Sequence, residues 1–136
     1  MAQTLDRPAP AAQTSDLDAA DRAAHRASIT RPIAEVASDL QSTLGQRLAA
    51  VIVGVADAKA VGRWARKERA PHSDTETRLR AALRVVLLLR ERYAPETVRA
   101  WFGGMNPLLN DRAPALVLDA NPEEVLEAAR EFWAHG

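Results

Sequence analysis

Three histidines are the only side chains of this 136-residue chain whose ordinary titration falls near neutral pH. His25, His72 and His135 lie far apart, and none stands in a His-Glu-x-x-His or other paired spacing that would hold a metal. The absence of cysteine excludes disulfides, thiolate zinc sites and cysteine nucleophiles. Ser28, Ser38, Ser42 and Ser73 have no Gly-x-Ser-x-Gly context, and no glycine-rich loop is present to cradle a phosphate. The paired Glu123-Glu124 falls at a helix start, where carboxylates favour the helix dipole. No catalytic, metal-binding or cofactor-binding constellation emerges, and the chain reads as a binding protein rather than an enzyme.

The cations are arranged more suggestively. Leu48 to Trp64 has the length and texture of a helix-turn-helix, with two short helices, a turn bearing Gly54, and a second helix with apolar anchors and basic flanks. In such a motif the second helix enters the major groove. Lys59 and Arg63 are then the base-facing side chains, with Ala58 and Ala60 able to meet a thymine methyl. Arg66, Lys67 and Arg69 are better placed for phosphates, where they add affinity and salt dependence without reading sequence. Ala58, Ala60 and Gly62 interleave these cations, so few side chains can specify, and binding would lean on phosphates and on avidity. The competing reading is a solvated basic helix whose Val61 and Trp64 merely pack in the core.

A second cluster occupies the last third. A tryptophan-bearing helix end (Val98-Arg99-Ala100-Trp101-Phe102) runs into Gly103-Gly104, then Asn106-Pro107-Leu108-Leu109, then Arg112-Ala113-Pro114 and the apolar Leu116-Val117-Leu118. This order resembles the toxin-binding domain of the Xre/MbcA/ParS antitoxins. Ala58 to Ala65 also resembles the Xre-like half that precedes it in that family. The resemblance covers the chain from about Ile33 onward. It implies an antitoxin of a type II toxin–antitoxin system that neutralises a RES-domain, NAD-degrading toxin and represses its own operon by binding operator DNA. It further implies a homodimer within a larger complex, and a C-terminal segment that occludes the toxin's active site, its acidic helix and terminal carboxylate meeting a cationic pocket.

Local chemistry gives part of this pattern a rationale. Asn106 can form an Asx turn, Pro107 fixes the next φ, and Leu108 and Leu109 can pin the turn to the core. For most of the leucines at 108, 109, 116 and 118 a core role is expected. The partner surface is then assigned to Asn110, Asp111 and Arg112, together with Phe132, Trp133, His135 and Gly136 at the chain end. Adjacent aromatics cannot share one helix face, so at least one of Phe132 and Trp133 is expected to be exposed or held by a partner. Two other readings stay open: a stand-alone transcriptional regulator or localisation adaptor, and a purely structural helical protein.

The elements that must position these residues are helical. Ala, Leu, Arg and Glu abound, aromatics make up 4 % of the chain, and no alternating β-branched run occurs. The expected fold is all-α, an Xre-like helix-turn-helix half over 29–93 followed by a small toxin-binding domain over 94–136. Residues 1–28 hold almost no large apolar side chain and read as a disordered tail, with a transient helix near Asp18 to Arg26. Thr30 caps a helix in which Ile33, Val36, Ala37, Leu40 and Leu44 repeat at helical spacing. Val85 to Leu89 is apolar all round, which predicts burial on several sides and adds to the expectation of a homodimer. Residues 43–92 carry eleven basic and five acidic side chains, and residues 93–136 carry three and seven. A basic middle beside an acidic end suits a polyanion and a cationic or apolar protein surface respectively. Without a signal-like or membrane-length apolar run, a soluble cytoplasmic protein is expected.

Overall fold

The computed structural model describes residues 10–135, with side-chain environments from Ser15 onward. Among these residues the structure is all-helical and holds no β-strand; the single extended pairing is an isolated bridge between Asn106 and Arg112. In chain order the helices are α1 (Pro10–Thr30), α2 (Ile33–Leu44), α3 (Gln46–Val53), α4 (Lys59–Ala65), α5 (Ser73–Arg90), α6 (Pro95–Gly103), a 3₁₀ turn over Pro107–Leu109, α7 (Pro114–Val117) and α8 (Pro122–His135). None of them is long and apolar enough to cross a membrane.

Helix α5 is the spine. Its Leu79, Leu83, Val86 and Leu89 are fully buried, and α1, α2, α3, α6 and α8 all pack against it. The apolar run within it is covered by the chain's own helices: Val85, Val86, Leu88 and Leu89 are buried and Leu87 is half-buried. It therefore leaves no apolar stripe for a second copy, and the homodimer expectation loses that support. Buried residues from 29–93 and from 94–136 belong to one continuous core, in which Val98, Phe102, Leu118 and Leu126 meet the earlier helices.

Helices α2, α3 and α4 pack pairwise into a three-helix unit. The breaks between them are set by backbone chemistry. Gly45 at φ 84° closes α2 onto α3, and Gly54 at φ 76° ends α3 in the left-handed region, where a side chain costs about 1–2 kcal/mol. Asp57 opens α4 by accepting the Lys59 N–H at 2.9 Å. Thr30 departs from its expected role. Its hydroxyl donates back to the Arg26 carbonyl at 2.8 Å, finishing α1 instead of capping α2.

The largest difference from the sequence reading is the tail. Residues 1–9 lie outside the described residues, but from Pro10 onward the segment expected to be disordered is a 21-residue helix docked on α5 and α8. It docks with Leu17 as its one large apolar side chain against the core. Ala20, Ala24 and Ser28 let it approach closely, and Asp21 reaches both Arg84 at 3.4 Å and Arg130 at 2.8 Å. Arg80 covers its C-terminal end, donating to the Ser28 and Arg31 carbonyls at 2.9 and 2.8 Å.

Candidate partner-binding groove and basic helix

An apolar surface groove is built by α6, the 3₁₀ turn and α8. Asn106 organises it. Its side-chain oxygen accepts the Leu108 N–H at 2.9 Å, its carbonyl accepts the N–H groups of Leu109 and Asp111, and its own N–H donates to the Arg112 carbonyl at 3.1 Å. Asn110 and Asp111 adopt positive φ, 57° and 62°, to close the loop. A 3₁₀ turn spaces successive side chains about 120° apart. Leu109 accordingly plugs into the core while Leu108 stands outward, 59 % exposed, beside Met105 at 81 %. The expectation that both leucines pin the turn is corrected by that geometry: Leu109 alone does so.

Behind this turn runs an aromatic row. Phe132 lies between Tyr93, at a ring-centroid distance of 4.6 Å, and Trp101, at 6.3 Å, while Trp101 meets Phe102 edge-on at 5.1 Å. The Tyr93 hydroxyl donates to the Phe132 carbonyl at 2.9 Å, fixing α8 against the end of α5. Trp101, Met105, Pro107, Leu108, Ala128 and Phe132 line an open groove of about 350 Å³, with Asn106, Glu131 and His135 also lining it. His135 and Glu131 sit 3.5 Å apart and supply polar groups beside the apolar surface. Preformed, mostly apolar and bounded by a few polar groups, it has the properties of a docking site.

The residues assigned to the partner surface from sequence divide accordingly. Phe132 and His135 line the groove, and Asn110, Asp111 and Arg112 form the exposed loop beside it. The Arg112 guanidinium is directed back to the Leu116 carbonyl at 3.5 Å. Trp133 does not belong to the groove. It is 6 % exposed, on another face of α8, with the Arg92 guanidinium 4.8 Å above its ring and donating to its carbonyl. The helical 100° step between neighbours puts one aromatic in each place. Gly136 lies outside the described residues. Trp101, Met105 and Leu108 are groove residues that the sequence reading did not assign; the signal for Leu108 was its 3₁₀ neighbour, since both leucines cannot face inward. Leu116 is 62 % exposed, so the core role expected for most of the leucines at 108, 109, 116 and 118 holds for Leu109 and Leu118 and not for Leu108 and Leu116.

The basic helix is less free than its sequence suggests. Val61 and Trp64 anchor α4, and Ala58 and Ala60 are half-buried against the core, so they are poorly presented to a thymine methyl. Arg63 pairs with Asp57 at 3.0 Å and Arg66 with Glu68 at 2.7 Å. The Lys59 N–H, and then Arg63, hold the Asp57 carboxyl below its ordinary range; Arg66 does the same to Glu68. Lys59, Lys67 and Arg69 are exposed, Lys67 with φ 62° just beyond the helix end. The structure thus brings the five cations to one short helix and the turn after it, with two of them partly neutralised.

One joint ties this unit to the C-terminal helices. Arg78 of α5 donates to the Val53 carbonyl at 2.8 Å and pairs with Asp119 at 3.1 Å. Asp119 lies over Gly54, so that a Cβ there would meet its carboxylate oxygen at 2.7 Å. No family model, curated protein or solved structure matches the chain.

Proposed function

We propose that this chain is the antitoxin of a type II toxin–antitoxin pair, binding and neutralising a RES-domain, NAD-degrading toxin and repressing its own operon through α3 and α4 as a helix-turn-helix. The observation that carries the reading is the rigid apolar groove of Trp101, Met105, Leu108 and Phe132. It occupies the segment whose Asn106-Pro107-Leu108-Leu109 order resembles the toxin-binding domain of that family. The acidic balance of residues 93–136 favours a toxin surface that is apolar at its centre and cationic at its edge. Phe132 and His135 of α8 line the groove, so this C-terminal helix is the segment set to occlude the toxin's active site, beside the flanking loop.

Removing the last six residues would be a poor test, because it takes Trp133 out of the core as well as Phe132 off the groove. The better one is co-expression with a RES-domain protein from a neighbouring reading frame, comparing the unmodified chain with Met105→Glu plus Leu108→Glu. Both side chains are exposed, and exposed substitutions shift stability by about 0.5 kcal/mol or less. Co-purification with the unmodified chain and its loss with the double variant are expected. A complex indifferent to the charges would remove the groove from the interface. With no complex at all, the three-helix unit of α2, α3 and α4 would favour a stand-alone DNA-binding regulator.

A further inference from the structure

We propose that α1 is a releasable strap, latched by Asp21, which detaches from α5 and α8 about the Arg31-Pro32 connection while the remaining helices stay folded. The apolar surface that α1 itself contributes to the core is small. Among its described side chains only the small Ala20, Ala24 and Ser28 are buried, and its one contributing leucine, Leu17, is half-buried. Shedding α1 therefore exposes little apolar surface that α1 itself contributes.

Ion pairs and guanidinium contacts add to that packing and latch the helix. Asp21 accepts from Arg84 of α5 and from Arg130 of α8, and Arg80 donates to the two carbonyls at the helix end. Arg130 has a second acceptor on its own helix, Glu127 at 2.8 Å, so it keeps a partner when Asp21 leaves. Burial pulls the Arg130 guanidinium down, yet its bonds to Glu127 and Asp21 outweigh that and raise it above its ordinary value.

The seam is also incompletely sealed. Cavities of about 530, 450 and 250 Å³ run along it, reaching Trp133, Leu87 and Leu126 respectively. Among the described residues, the two buried side-chain donors without an acceptor are Arg84 Nε and Trp133 Nε1, and both residues line these cavities. Release also unbraces α8, whose opposite edge carries Phe132. The strap stands on these contacts and not on what the groove binds.

The chain lacks cysteine, so a single introduced thiol reports opening. Ala24→Cys places it on the strap's inner face, 3 % exposed in the native residue and bordering the cavity that reaches Leu87, and Ala49→Cys places it in the core of α3, where the native residue is 1 % exposed. Under native conditions a thiol reagent is expected to label Ala24→Cys faster than Ala49→Cys, and since Ala24 borders a cavity, the acceleration on loosening the latch is what reports release. Adding Asp21→Asn should accelerate the first roughly tenfold, the factor that goes with about 1.4 kcal/mol, and leave the second unchanged. Raising salt from about 0.05 to about 0.5 M should mimic Asp21→Asn and add little to it. Amide exchange of the unmodified protein gives the same information without substitution, with α1 exchanging well before α5. Equal labelling of the two thiols, or α1 amides as protected as those of α5, would overturn the proposal.

Discussion

At the scale of single residues, the groove depends on one asparagine and one parity. Asn106 gathers four hydrogen bonds and so fixes a loop with two left-handed residues, and the 3₁₀ step then divides Leu108 from Leu109. A similar division, by the helical step, sends Phe132 to the surface groove and Trp133 under Arg92. Gly54 is the other residue on which much turns, because its left-handed φ disfavours a side chain and a Cβ there would push the Asp119 carboxylate aside. Gly54→Ala is expected to lower stability by at least about 1–2 kcal/mol in urea unfolding, the backbone cost alone. An unchanged midpoint would mean that Asp119 and the turn relax freely, and that the joint between α3 and the C-terminal helices is loose.

At the scale of elements, the sequence was most legible where apolar side chains are large and periodic. The spacing of Ile33, Val36, Ala37, Leu40 and Leu44 places α2 within its observed bounds, and the Val85 to Leu89 run correctly marks α5 as buried on several sides. Helix α1 was illegible for the complementary reason. Its docking face is alanine and serine around a single leucine, Leu17, the guanidinium groups that latch it lie about 50 to 110 residues away, and neither leaves a strong hydrophobic period. Pairing also decides what α4 can do. The sequence shows five cations but not that Asp57 and Glu68 fold back on two of them. If α4 reads DNA, Lys67→Ala plus Arg69→Ala should weaken binding uniformly and reduce the salt slope by about 2, whereas Lys59→Ala plus Arg63→Ala should weaken it and relax its sequence preference. Asp57→Asn should do the opposite, freeing Arg63 while leaving an acceptor for the Lys59 N–H. Fluorescence titration against the upstream DNA at several salt concentrations measures both, and affinities untouched by either change would dismiss the helix-turn-helix reading.

At the scale of the whole molecule, a net charge of zero hides two surfaces of opposite character on one core. The three-helix unit carries cations on α4, and α6 to α8 carry an apolar groove in an acidic segment. The joint of Arg78, Val53 and Asp119 holds the two together. Such a layout suits a protein that holds a polyanion with one end and a protein partner with the other, and the second contact is the central claim. The most direct measurement is NAD consumption by the RES-domain partner during titration with this chain. Inhibition should saturate at a fixed stoichiometry with the unmodified protein, and the Met105→Glu plus Leu108→Glu variant should require at least ~100-fold more protein, as for loss of two apolar anchors of about 1.4 kcal/mol each. Full inhibition by the variant at the same stoichiometry, or none by either protein, would contradict it.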